Sequence, residues 1–112
     1  MQVLENMFIF NIRNFNYASP MKEFVAKVGS SVGLHARPAA LFAQSSKASG
    51  CKVMIAKISD DGSESALVDG ASILKVMSLG IKSGESIKVQ VEGENEETTA
   101  SNLQLIVESV DH

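Results

Sequence analysis

Four short stretches that alternate apolar and polar residues constrain the fold more than any other feature of the chain. From Met21 to Val28, Phe24, Ala26 and Val28 fall on one face and Glu23, Val25 and Lys27 on the other. Cys51 to Ile58 places Val53 and Ile55 on one side, and Ser86 to Glu92 does the same with Ile87, Val89 and Val91. Glu64 to Asp69 is the remaining stretch. A period of two marks a strand with one buried and one wetted side. Sheets wetted on one side are antiparallel, because parallel sheets are covered on both. Ser59-Asp60-Asp61-Gly62-Ser63 is a turn, so 51–69 reads as a hairpin.

The segments between the strands read as helices. From about Arg37 to Ala48, Ala39, Phe42, Ala43 and Ser46 recur at helical spacing, with Leu41 off that face. Ser49-Gly50 ends this helix in the manner of a left-handed cap. Ser72 caps a short helix from Ile73 to about Ser78, closed by Gly80. A last helix begins near Asn95, with Glu96 and Glu97 suited to its positive end. Its apolar stripe is Ala100, Leu103, Ile106, Val107 and Val110. The order β-α-β-β-α-β-α predicts an α+β open-faced β-sandwich, a four-stranded antiparallel sheet with three helices on one face.

The 112 residues suffice for one domain, placed at 21–112. Residues 1–20 differ, with four asparagines and the apolar cluster Met7-Phe8-Ile9-Phe10. They lack the basic start and long apolar run of a secretory leader. They read as a weakly ordered N-terminal extension, with Met21 as the functional start. A net charge of −3 without a basic stripe argues against nucleic acid. Four of the six aromatic rings precede Met21, which leaves the main body without a stacking platform. The single cysteine rules out an internal disulfide and a cysteine-cluster metal site. Cys51 reads as a small buried residue opening a strand. No stretch has the length of a membrane span. These features fit a monomer in a reducing cytoplasm, with neither metal nor cofactor expected.

The candidate chemistry lies in Gly33-Leu34-His35-Ala36-Arg37-Pro38-Ala39. Proline is favoured in the first helical turn, where its missing N–H has no acceptor to lose. His35 then sits at or just before a helix start, which offers free N–H groups and a partial positive charge to an anion. An imidazole can supply a nucleophilic ring nitrogen at neutral pH, and Arg37 adds a fork of donors shaped for phosphate. A histidine at a helix start is commonly only a cap, so a second stretch must decide. That stretch is Ala71-Ser72-Ile73-Leu74-Lys75-Val76-Met77-Ser78-Leu79-Gly80-Ile81.

Both stretches, in this order, resemble HPr, the histidine-containing phosphocarrier family of the bacterial phosphoenolpyruvate-dependent sugar phosphotransferase system. The resemblance runs from Met21 to the C-terminus. It implies that phospho-enzyme I passes a phosphoryl group to Nδ1 of His35, and that enzyme IIA units of sugar permeases receive it. It implies that Arg37 assists the phosphate, and that Ser72 matches the serine modified by an ATP-dependent kinase in many Gram-positive relatives. The protein would be a phosphocarrier rather than a free-standing catalyst, since transfer needs mainly positioning and electrostatics that a partner can share. Ala40, Leu41, Ile73, Leu74 and Met77 read as an apolar docking patch beside His35, the alternative being that Ile73 and Met77 are core. Two other functions fit: a regulatory module that a Ser72 kinase switches toward a transcriptional regulator, and a carrier in a nitrogen-type branch. The chain departs from HPr in its hairpin, a few residues longer around Ser59 to Ser65, and in residues 1–20, which have no counterpart. His112 reads as an unstructured chain end.

Overall fold

A computed structural model describes residues 21–110. Its elements are β1 (Met21–Lys27), α1 (Ala36–Ser49), β2 (Lys52–Ile58), β3 (Val68–Asp69), α2 (Ile73–Ser78), β4 (Ser86–Glu92) and α3 (Glu96–Glu108). The order is the one that the alternation predicts. The strands form one antiparallel sheet in the order β1-β4-β2-β3. The last strand in sequence is thus a central one. Residues 1–20 and His112, read above as an extension and a chain end, lie outside the described residues.

Register explains why the pattern repeats in each strand. Phe24 and Ile55 both pair with Val89, and Val53 pairs with Val91, so the apolar positions form rows on one face. The helices cover that face. Phe42 from α1, Val76 from α2 and Leu103 and Val107 from α3 join Ile55, Ile87, Val89 and Val91 at the centre of the core, each of these eight at most 1% exposed. Burying one such large side chain stabilises the fold by roughly 1.5–3 kcal/mol. The expected face of α1 is the buried one: Ala39, Phe42, Ala43 and Ser46 are all inside. Asn95 precedes α3 as expected, and Gly50 caps α1 with φ 75°.

Three expectations need correction. The third strand is two residues long, not Glu64 to Asp69. Ser65 explains the loss: its N–H donates to the Lys57 carbonyl, but its hydroxyl, not a ladder carbonyl, accepts the Lys57 N–H, each at 2.9 Å. Glu64 touches Ile58 only as an isolated bridge. Val110 does not join the stripe of α3, because the chain turns extended at Ser109 (ψ 137°) and leaves Val110 74% exposed. Cys51 is half-buried just before β2, its Sγ 3.6 Å from Thr99 Oγ1.

The long hairpin has a definite place. Ala56 pairs with Lys88 on the side away from the helices, yet it is fully buried. Glu64 Oε1 reaches Lys88 Nζ at 2.7 Å, so the segment between β2 and β3 folds over that part of the open face. Among the described residues no helix is long and apolar enough to cross a membrane.

Candidate functional site

The loop before α1 is built to present His35. Ser30 is buried; its carbonyl accepts the Gly33 N–H at 3.1 Å, and its hydroxyl accepts the Val32 N–H at 3.2 Å. Gly33 has φ 75°, and a Cβ there would stand 2.3 Å from the Ile81 carbonyl oxygen. Only glycine meets both demands without strain. Leu34, 1% exposed, plugs into the core and donates its N–H to the same Ile81 carbonyl at 3.1 Å. His35 follows at the N-cap of α1 with extended backbone (φ −138°, ψ 154°), and its side chain makes no capping bond. The imidazole is exposed, while Leu34 on one side and Pro38 on the other are buried.

Between His35 and Arg37 the chain makes a sharp turn. Ala36 has φ 48°, the one positive value at a non-glycine residue among those described. Such a conformation costs about 1–3 kcal/mol and persists only where neighbours fix it. Here Leu34 and Pro38 do so. The turn starts α1 directly beyond the imidazole. The N–H groups of Ala36 and Arg37 therefore lie in the first turn without intrahelical acceptors, and Pro38 has none to offer. Arg37 is exposed.

A shallow cavity of about 500 Å³ lies beside His35, lined by Ser31, Val32, Gly80, Ile81, Lys82 and Ser83. Neither Arg37 nor Ser72 lines it. Lys82 and the Ile81 carbonyl are not among the residues that the sequence singles out for the site. The available signal was a lysine two residues beyond the Gly80 that ends α2. Glu85 stiffens this loop. Its Oε1 accepts the Lys82 N–H at 2.7 Å and lies 3.4 Å from Lys57 Nζ. The bond from the Lys82 N–H holds the Glu85 carboxyl below the usual range; burial opposes it, and the Lys57 charge adds a lesser lowering effect.

Ser72 is the N-cap of α2, and its Oγ accepts the Lys75 N–H at 3.3 Å, as a capping serine should. The five residues read as a docking patch divide. Leu74 is 79% exposed and Ile73 and Leu41 are 39% and 38%, whereas Ala40 and Met77 are half-buried. Met77 packs against the core, so the core alternative holds in part for Met77 but not for Ile73; Val76 is the buried residue of α2. Helices α1 and α2 are in contact, which sets Leu41 and Leu74 on neighbouring elements.

Comparison with known proteins gives a consistent answer. A family model described as the PTS HPr component phosphorylation site matches residues 22–109. The phosphocarrier protein HPr of Streptomyces coelicolor is 40% identical over 87 residues, covering 78% of this chain and 88% of that protein. The HPr of Mycoplasma genitalium is 34% identical over 88 residues, 79% and 94% of the two chains. A crystal structure of HPr from Bacillus anthracis matches with a TM-score of 0.67 and 34% identity, over 78% of this chain and 96% of that one.

Proposed function

The chain belongs to the HPr family of phosphotransferase-system phosphocarriers, and on that premise we propose that His35 accepts a phosphoryl group from phospho-enzyme I and passes it to enzyme IIA units of sugar permeases. The observation that carries the reading is the exposed, uncapped imidazole at the start of α1, beside the free N–H groups of Ala36 and Arg37. In the forward step the lone pair of Nδ1 forms a bond to phosphorus. The bond from phosphorus to the donor breaks and its electron pair stays with the donor. The phosphoryl oxygens then face the helix N–H groups and Arg37. Partner docking falls to Leu41, Ile73 and Leu74, with Ala40 and Met77 at the edge. Such a carrier works in the cytoplasm, where its partners meet it.

The test is incubation with enzyme I and labelled phosphoenolpyruvate. An acid-labile label is expected on the unaltered chain and none on His35→Ala, with the fold of the variant intact. Undiminished labelling of His35→Ala refutes the assignment.

A regulatory role for Ser72 has its own support. The capping hydroxyl adjoins Leu74, the most exposed large apolar side chain among the described residues. A phosphate on Ser72 would set nearly two negative charges at the patch that docks partners. An ATP-dependent kinase and a transcriptional regulator would be the added partners under this reading.

A further inference from the structure

We propose that Lys57 and Glu85 are positioning residues for His35, clamping the 80–85 loop that forms the opposite wall of the histidine cavity. The functional half of this inference rests on the phosphocarrier reading above.

Lys57 breaks the pattern of its strand. It pairs with Ile87 and shares the helix-side face with Val53 and Ile55, where an apolar residue is expected. Its side chain is only 23% exposed, and that of Glu85 18%. Local rules of this kind are broken mainly where function requires it. Lys57 Nζ approaches two groups of the loop at 3.4 Å: it donates to the Gly80 carbonyl and pairs with Glu85 Oε1. Glu85 Oε1 in turn accepts the Lys82 N–H at 2.7 Å. The far end of the loop is fixed by backbone alone, through Gly84 N–H to the Val28 carbonyl and Val28 N–H to the Glu85 carbonyl, both 2.9 Å. The near end, Gly80 to Lys82, has the Gly80 N–H on the Met77 carbonyl at 3.0 Å, the Glu85 N–H on the Lys82 carbonyl at 3.1 Å and the buried Ile81 side chain, and the clamp adds side-chain bonds to the Gly80 carbonyl and the Lys82 N–H. That near end includes Ile81, whose carbonyl receives the Leu34 N–H and abuts Gly33. Lys57 is thus linked to the residue preceding His35 through a single loop.

The long hairpin acquires a purpose in this arrangement. Both backbone groups of Lys57 are bonded to Ser65, so the segment between β2 and β3 fixes the end of β2 from which the ammonium reaches. An ordinary surface ion pair would contribute little and position nothing. Here the pair is largely covered and shares its acceptor with a loop N–H.

The experiment measures phosphoryl acceptance from enzyme I over a range of enzyme I concentrations, together with amide exchange at Leu34. Lys57→Met should lower the saturating rate by up to about a hundredfold, the scale of loss when a reacting group is misplaced by a distant mutation. The half-saturating concentration should stay unchanged, because Leu41, Ile73 and Leu74 are untouched. Leu34 exchange should speed up below the unfolding transition. Lys57→Arg, which keeps the charge, should restore both readouts. Adding Glu85→Gln to Lys57→Met should cost no more than Lys57→Met alone, as expected for residues in one network. If Lys57→Met does not fold, Glu85→Gln, which keeps an acceptor for the Lys82 N–H, serves for both measurements. A labelled chain whose Leu34 exchange and saturating rate are unmoved overturns the clamp. A chain that takes no label from enzyme I overturns the phosphocarrier reading, and the positioning role falls with it.

Discussion

At the scale of single residues, the site depends on positions that make no chemistry themselves. Gly33 is one. Alanine there faces a strained φ of 75° and a backbone oxygen 2.3 Å from the new methyl group, and the Ile81 carbonyl cannot withdraw without breaking its bond to Leu34. Gly33→Ala should lose about 2 kcal/mol or more in denaturant unfolding, since strain and overpacking add. It should lose labelling by enzyme I even where folded. Ser72 separates two effects that a single substitution would confuse. Ser72→Ala forfeits the bond from Lys75 and should lose about 1 kcal/mol, the usual cost of a missing cap. It should keep most transfer activity. Ser72→Asp keeps an acceptor at the cap, so it should fold normally. It should nonetheless accept phosphate far more slowly, because docking would desolvate a charge beside Leu74. Transfer rates of the two variants at matched folded fraction decide the matter. Equal rates would place Ser72 outside the docking surface.

At the scale of elements, what could be read from the sequence follows from how local its cause is. The alternation of Phe24, Ala26 and Val28 and of Ile87, Val89 and Val91 reports burial directly, so β1 and β4 emerge within a residue of their observed ends. Pro38 and Gly50 mark α1 for the same reason, and Ser72 marks α2. The third strand failed because its pairing was decided by the Ser65 hydroxyl, a competitor that periodicity does not register. The position of His35 at the start of α1 is legible because helix starts have a sequence signature. The Ile81 carbonyl and Lys82 are not, because they reach the site only through the meeting of two loops far apart in the chain. The hairpin also predicts a pH response. Lys88 is held above the usual lysine range, first by its hydrogen bond to Glu64, while partial burial opposes it. Its stabilising contribution is complete below the ordinary value of about 10.4 and is lost as pH rises through the elevated one. Glu85, held low, contributes above the ordinary value of about 4.3, and that contribution disappears as pH falls through the depressed one. The unfolding midpoint should therefore be level between these limits as far as the two pairs decide it. Glu64→Gln should flatten the alkaline fall and leave the acid fall unchanged.

At the scale of the whole molecule, the histidine loop joins the two ends of the domain. Gly29, just after β1, donates its N–H to the Val107 carbonyl at 2.9 Å, and a Cβ there would stand 2.2 Å from the Glu108 carbonyl oxygen. The C-terminal turn of α3 is therefore seated on the start of the loop that presents His35. The core that supports this seat runs from Ala26 to Val107. Its first sheet pair is Met21 with Glu92, and the family match begins at residue 22. Removal from the two ends should thus have opposite consequences. A chain starting at Met21 should unfold in one cooperative transition and accept phosphate at the rate of the full chain. A chain ending at Ser101 loses Leu103 and Val107, both buried to within 1%. It also loses the acceptor for Gly29, so it should fail to give a cooperative transition, because large core losses of about 2–5 kcal/mol each exceed what a small domain tolerates. Thermal unfolding and labelling of both truncations test the asymmetry. A slower rate or a lower midpoint for the chain starting at Met21 would show that residues 1–20 belong to the working domain, and the boundary at Met21 would have to move.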